Sequence, residues 1–206
     1  MKLLISFEGI DCSGKSTQIN LLSEKLNNQN IDNIVLREPG DTKISNEIRK
    51  ILLDKNNKIN PESETLLFLS ARSQLVKEKI IPNYKTGKVI LCDRYIDSTL
   101  AYQGYGRGLD KNLIKKLNIF VSHNIIPDIT FILDIDSKIS INRLKNKNLD
   151  RMESVGAEFL ENVSKGYHQI ASDNPKRCKI INCKTKDILS IHNEIMHIFN
   201  LYNGRT

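Results

Sequence analysis

An α/β fold built on a parallel sheet is the architecture this 206-residue sequence predicts. Three features predict it. Short apolar, β-branched runs alternate along the chain with longer segments of helical periodicity. The first of these runs leads straight into a glycine-rich turn and then a helix. No internal repeat and no linker interrupts the alternation, so a single domain over 1–206 is expected, long enough to bury a sizeable core.

Taken in order, residues 2–8 (KLLISFE) form an apolar run ending at Gly9, as a buried parallel strand does. From Lys15 to about Asn28, Ile19, Leu22 and Leu26 recur at helical spacing. Residues 33–37 (NIVLR) predict a second strand, closed by Glu38-Pro39-Gly40. A helix over 44–53 is followed by a long one over 61–81 that starts with Pro61. The β-branched run 88–92 (KVILC) after Thr86-Gly87 predicts the third strand. Beyond it come a helix over 110–124, a strand over 128–134 (DITFILD) and a helix over 137–145. The last elements are a helix over 156–173, a strand over 179–183 (KIINC) and a closing helix over 185–202. Five strands with helices on both faces give three layers. The basic stretch KNKNLDR at 145–151 is the one candidate lid, within a region of about 143–151.

Composition excludes more than it selects. Hydrophobic residues make up 39% and charged residues 27%, ordinary values for a globular chain. The net charge of +7 attracts polyanions, but lysine is scattered along the chain, so no nucleic-acid partner is expected. No run approaches the 18 apolar residues of a membrane span, and the N-terminal run is broken at Ser6 and Glu8, so a cytoplasmic protein without a membrane partner is expected. Cys12, Cys92, Cys178 and Cys183 form no C-x-x-C pair, which argues against a disulfide framework or zinc site. His192 and His197, five apart, lie on different faces of a helix and make no metal pair.

The chemistry enters at Gly9-Ile10-Asp11-Cys12-Ser13-Gly14-Lys15-Ser16, which fits G-x-x-x-x-G-K-[ST] between a predicted strand and a predicted helix. Glycines let the backbone wrap so that successive N–H groups face phosphate oxygens, and the helix adds its positive end. Lys15 can reach the outer phosphates of a nucleoside triphosphate and the Ser16 hydroxyl can ligate Mg²⁺. The fold class is therefore a three-layer P-loop NTPase fold. Asp93 ends the third strand at the carboxyl edge, where a carboxylate can hold Mg²⁺ directly or through water. The loop by itself leaves the reaction open, because switches, motors and small-molecule kinases share it.

FEGIDCSGKST, with REPG at 37–40, DRY at 93–95, AYQG-x-GRG at 101–108 and LDR at 149–151, resembles bacterial thymidylate kinase from the first strand to the last helix. The resemblance implies a nucleoside monophosphate kinase that uses ATP and Mg²⁺ to convert dTMP to dTDP, and it implies a homodimer. It assigns Gly9 to Thr17 and Arg143 to the ATP phosphates, and Arg37 and Arg94 to the acceptor phosphate. In TLLFLSAR it makes Phe68 the platform for thymine and brings Arg72 to the base edge. Ser98, Thr99 and Gln103 fall where similar enzymes hydrogen-bond the base, Tyr102 where they crowd the sugar 2′ position, and Asp11 beside the acceptor sugar or metal-bound water. No arginine lies between Asp11 and Lys15, so the resemblance assigns the transition-state cation to the lid, where Arg143, Lys145, Lys147 and Arg151 are available. Arg151 is the first candidate and Arg143 the second.

The sequence departs from the family's REPGGT at Asp41, which alters that turn. Alternatives are the same chemistry on dUMP or UMP, since a methyl group discriminates by only about 1–3 kcal/mol, and a GTP-dependent switch. Against the switch, no N-K-x-D segment is present, and NCKTKD is misspaced.

Overall fold

The structure, a computed structural model, describes residues 2–145 and 149–204. Five strands, β1 (Leu3–Glu8), β2 (Asn33–Arg37), β3 (Val89–Asp93), β4 (Ile129–Asp134) and β5 (Cys178–Asn182), form one sheet in the order β2-β3-β1-β4-β5. Every neighbouring pair is parallel. The chain builds out on one side of β1 and then crosses to the other, which opens a crevice at the carboxyl ends of the strands. Register sets what lines that crevice: Arg37 lies opposite Asp93 and Asp93 opposite Phe7, one residue before Glu8 closes β1.

The helices are α1 (Lys15–Asn28), α2 (Lys43–Leu53), α3 (Pro61–Leu75), α4 (Ile81–Lys85), α5 (Ile96–Thr99), α6 (Lys111–Ser122), α7 (Ser137–Leu144), α8 (Ala157–Asp173) and α9 (Ile188–Tyr202). Their starts follow local chemistry. The Thr42 hydroxyl caps α2 and the Asn60 side chain caps α3, with Pro61 in its first turn. The helix predicted over 61–81 continues through a π-helical turn, Val76–Ile80, to Lys85. The sequence assigned no element between 93 and 110, yet the chain there is helical: α5 passes into a π-helical turn, Leu100–Gly106. Residues 97–104 are all buried, so no polar face exists to reveal a period.

Alternate strand residues feed two apolar clusters. Leu3, Ile5 and Phe7 join Ile19, Leu22 and Leu26 of α1 and Ile191, Ile195 and Phe199 of α9. Leu4, Leu36, Ile90 and Cys92 join Leu75, Val76, Ile80 and Tyr95. Each fully buried Leu, Ile or Phe side chain contributes about 1.5–3 kcal/mol, so these faces hold the layers together. Toward the carboxyl end the β1 face carrying Leu4 turns polar, with Ser6 and Glu8 both buried. Ser6 shares a hydrogen bond of 2.9 Å with Thr130, which donates to Asp97, and Arg177 closes the network on Asp97 at 2.6 Å. Among the described residues no helix is long and apolar enough to cross a membrane.

Candidate active site

The phosphate loop leaves β1 at Gly9, where a side chain is impossible. Its φ is 131°, and an added Cβ would stand 2.5 Å from the Leu133 carbonyl oxygen. Gly14, at φ 97°, caps α1. Lys15 folds back over the loop, donating to the carbonyls of Gly9 at 3.2 Å and Ile10 at 3.0 Å. Burial, reinforced by the nearby Arg94 cation, brings its pKa down to about 8. Ser16 donates to Asp93 at 2.9 Å. A cleft of about 660 Å³ lies over Asp11 to Thr17 and is bordered by Arg37, Asp93, Arg94 and Arg143. Gly9 and Ile10 sit behind it and serve Lys15. Arg143, on α7, reaches the loop by donating to the Cys12 carbonyl at 2.7 Å.

A second cavity, of about 100 Å³, is walled by Phe68, Arg72, Ser98, Thr99, Tyr102 and Gln103 together with Leu53 and Met152. Five residues border both clefts: Asp11, Glu38, Arg49, Arg94 and Glu153. At this junction Arg94 has a left-handed backbone (φ 71°) that turns its side chain back over the loop. Its guanidinium donates to Asp11 at 2.6 Å, to the Gly9 carbonyl at 3.0 Å and to the Tyr102 hydroxyl at 3.1 Å. Burial pushes the Asp11 carboxyl up, but Arg94 and Lys15 outweigh it and hold it below the ordinary carboxylate range. Glu8 fixes the turn from below, accepting from the Tyr95 N–H at 2.8 Å and from the Ser98 and Tyr167 hydroxyls. Burial and the facing Asp97 push Glu8 up to about 7.

The acceptor candidates differ in what they leave exposed to the cavity. Arg72 is 2% exposed and spends its N–H groups on Glu38, Thr99, Asn118 and the Tyr95 carbonyl. An N–H to a base edge requires one of those partners to give way. The Thr99 hydroxyl is occupied in the same way. Phe68 and Gln103 stand on the wall, the latter donating through its amide to Glu64 at 3.0 Å.

Arg151 is not brought to the phosphate loop. Its guanidinium is held by Glu64 at 2.6 Å and by the Leu52 carbonyl at 2.7 Å, against the α2–α3 hairpin. Lys145 is exposed at the end of α7, and Lys147 lies outside the described residues.

Arg49 escaped the sequence, and the form of the turn at Asp41, which the sequence marked as altered, came only with the fold. Arg49 borders both clefts, donates to the Pro39 carbonyl at 2.8 Å, and has its pKa lowered by burial and by Arg37. It lies four residues after Ser45 and three before Leu52, the buried residues of α2, and a charge on a buried helix face was the available signal. Asp41 adopts φ 64°, a conformation glycine would take without cost, and its carboxylate accepts from the Arg37 N–H at 2.6 Å. The departure from glycine thus caps the end of β2 just below the Arg37 side chain.

A glycine-rich loop at a helix N-terminus, opening through an arginine-lined junction onto a second, aromatic-walled cavity, defines a P-loop kinase of a small phosphorylated acceptor. The family model for thymidylate kinase matches residues 7–195. A thymidylate kinase of a Thermoanaerobacter species is 42% identical, over 96% of this chain and 97% of its own. That of Thermosipho africanus is 50% identical, over 82% and 84%. The crystal structure of thymidylate kinase from Ehrlichia chaffeensis superposes with a TM-score of 0.81 at 37% identity, covering 96% of this chain and 98% of that one. The chain belongs to the thymidylate kinase family.

Proposed function

We propose that phosphoryl transfer takes place at the junction of the two clefts, with Asp11, Arg49 and Arg94 around the reacting phosphates. The chain is a nucleoside monophosphate kinase that phosphorylates dTMP to dTDP with ATP as donor. The observation that carries the placement is that the loop cleft and the aromatic cavity share their border at these residues. A donor seated on the loop and an acceptor seated on Phe68 then present their phosphates to each other, and phosphoryl transfer is chiefly a matter of such positioning and of charge. Neither a switch protein nor a nucleic-acid-binding module accounts for a second cavity opening at that point.

Lys15 neutralises the outer donor phosphates, and Arg37, Arg49 and Arg94 hold the acceptor phosphate through planar, charge-assisted contacts. Asp11 orients Arg94 and faces the acceptor sugar, against which Tyr102 packs. Arg143, already on the loop, is the cation at the donor phosphates. Arg151 joins it only by giving up Glu64 and the Leu52 carbonyl. The Ser16 hydroxyl and Asp93 carboxylate, 2.9 Å apart, are the hard oxygen donors that suit magnesium, so they would hold the ion directly or through water. When bound, Mg²⁺ offsets charge on the donor phosphates. A homodimer is part of this reading, supported by the exposed apolar residues Leu113 and Phe120 of α6 and Leu66 of the neighbouring α3.

The test is ADP release with ATP, Mg²⁺ and dTMP, dUMP, UMP, dCMP or AMP as acceptor. Turnover is expected to be strongest with dTMP and lost in Lys15→Ala. Arg49→Ala should raise the KM for dTMP at least about tenfold while leaving that for ATP near wild type. A change confined to ATP would remove Arg49 from the acceptor side.

A further inference from the structure

We propose that Glu64, which borders neither cleft, is a positioning residue that makes the acceptor site accept thymine and uracil and reject cytosine, by fixing which end of the Gln103 amide faces the base. The inference rests on the aromatic cavity being the dTMP base site.

Glu64 is fully buried near the start of α3. Its carboxylate accepts from Arg107 through Nε at 3.1 Å and Nη2 at 3.0 Å, from Arg151 Nη1 at 2.6 Å and from Gln103 Nε2 at 3.0 Å. Burial alone would push its pKa up, but the hydrogen bonds from Arg107, Gln103 and Arg151 outweigh this and hold it below the usual value. Two arginines thus keep Glu64 ionised, and an ionised carboxylate only accepts.

The consequence falls on Gln103. The two ends of a glutamine amide have nearly the same shape, and their placement follows from what surrounds them. Opposite an acceptor-only carboxylate, the NH₂ end must face Glu64. The amide oxygen is then the end left for the cavity, and among the described residues no donor reaches it. Gln103 is 1% exposed and stands on the cavity wall with Phe68, so a base seated there meets an acceptor held in a desolvated place.

Thymine and uracil offer N3–H, which donates to that oxygen. Cytosine has a lone pair at N3, so acceptor would face acceptor and neither group would find a partner. Sites built to hydrogen-bond a substrate group reject analogues lacking it by on the order of 10⁴-fold, far more than a methyl difference allows. On this account the site separates dTMP from dCMP strongly and from dUMP weakly.

The experiment is the steady-state kcat/KM of the full-length enzyme for dTMP, dUMP and dCMP, in wild type, Glu64→Gln and Gln103→Met. An amide at position 64 both donates and accepts, which frees Gln103 to turn over and offer N–H to cytosine. Glu64→Gln is expected to lower the dTMP-to-dCMP ratio at least about tenfold, with dCMP turnover rising in absolute terms and dUMP following dTMP. A gain on dCMP is something lost packing does not produce. Equal losses on all three acceptors would make Glu64 merely structural and overturn the proposal. Should Glu64→Gln fail to fold, Glu64→Asp keeps the charge for the arginines, draws back from Gln103, and is read by the same ratio. Gln103→Met checks the underlying site: a raised KM for dTMP at unchanged KM for ATP is expected. An unmoved KM for dTMP would instead refute the cavity as the base site, and the role of Glu64 with it.

Discussion

Lys15 is charged below a pKa of about 8 and neutral above it, because burial and Arg94 disfavour the ammonium form. On the proposed reading, the donor phosphates need that charge. The kcat/KM for ATP, which reports ionisations of the free enzyme, should therefore fall as pH rises through about 8, by roughly tenfold per unit beyond it. A flat profile to pH 9.5 (about 1.5 units past the midpoint) would show that the amine keeps its ordinary pKa. Asp41 offers a second residue-scale test, since two opposing terms meet there. Its left-handed backbone costs about 1 kcal/mol relative to glycine, while its hydrogen bond from the Arg37 N–H returns about the same. Asp41→Gly should leave stability within about 1 kcal/mol of wild type, whereas Asp41→Ala keeps the strain, loses the bond and should cost about 1–2 kcal/mol in urea unfolding.

At the scale of elements, the decisive contact is between α8 and the π-helical turn Leu100–Gly106, which carries Tyr102 and Gln103 to the wall of the aromatic cavity. The two approach so closely that a Cβ on Gly166 would lie 2.7 Å from the Tyr105 ring, and one on Gly106 would lie 2.7 Å from Phe159. Alanine is the better helix former by about 1 kcal/mol, so an exposed Gly166 would gain from Gly166→Ala. Here overpacking wins, and the substitution should destabilise by about 1–3 kcal/mol and raise the KM for dTMP more than that for ATP. A higher melting temperature would mean that Tyr105 swings aside freely. The docking of Arg151 belongs to this scale too: its N–H donates to the Leu53 carbonyl at 3.0 Å, so backbone and side chain together tie the end of the lid region to the α2–α3 hairpin.

For the whole molecule, the layered sheet leaves apolar side chains exposed on α6, where Leu113 and Phe120 stand seven residues apart and Phe120 is 77% exposed. The proposed homodimer predicts that Phe120→Glu sediments as a monomer at micromolar concentration where wild type sediments as a dimer. A wild-type protein that sediments as a monomer would remove the dimer from the reading.

Much of this was legible along the chain. Five apolar runs determined the five strands, and the loop from Gly9 to Ser16 determined the triphosphate cleft, because strand propensity, glycine conformation and phosphate binding are all local properties. The resemblance to the family assigned Phe68, Arg94, Tyr102 and Gln103 to the acceptor, and the structure gathers the four around one cavity. Only the tertiary structure decided what those side chains have left to offer. Arg72 reads as a base contact in sequence, yet its N–H groups are committed to Glu38, Thr99, Asn118 and Tyr95, partners 23 to 46 positions away. Arg151 reads as a phosphate cation, yet it is bound to a carboxylate 87 positions earlier. Arg49, a charge on the buried face of α2, stands at the junction of both clefts. Hydrogen-bond capacity is finite and is shared among groups that meet only when the sheet brings its loops to one edge, so the free valences of a site are a property of the fold.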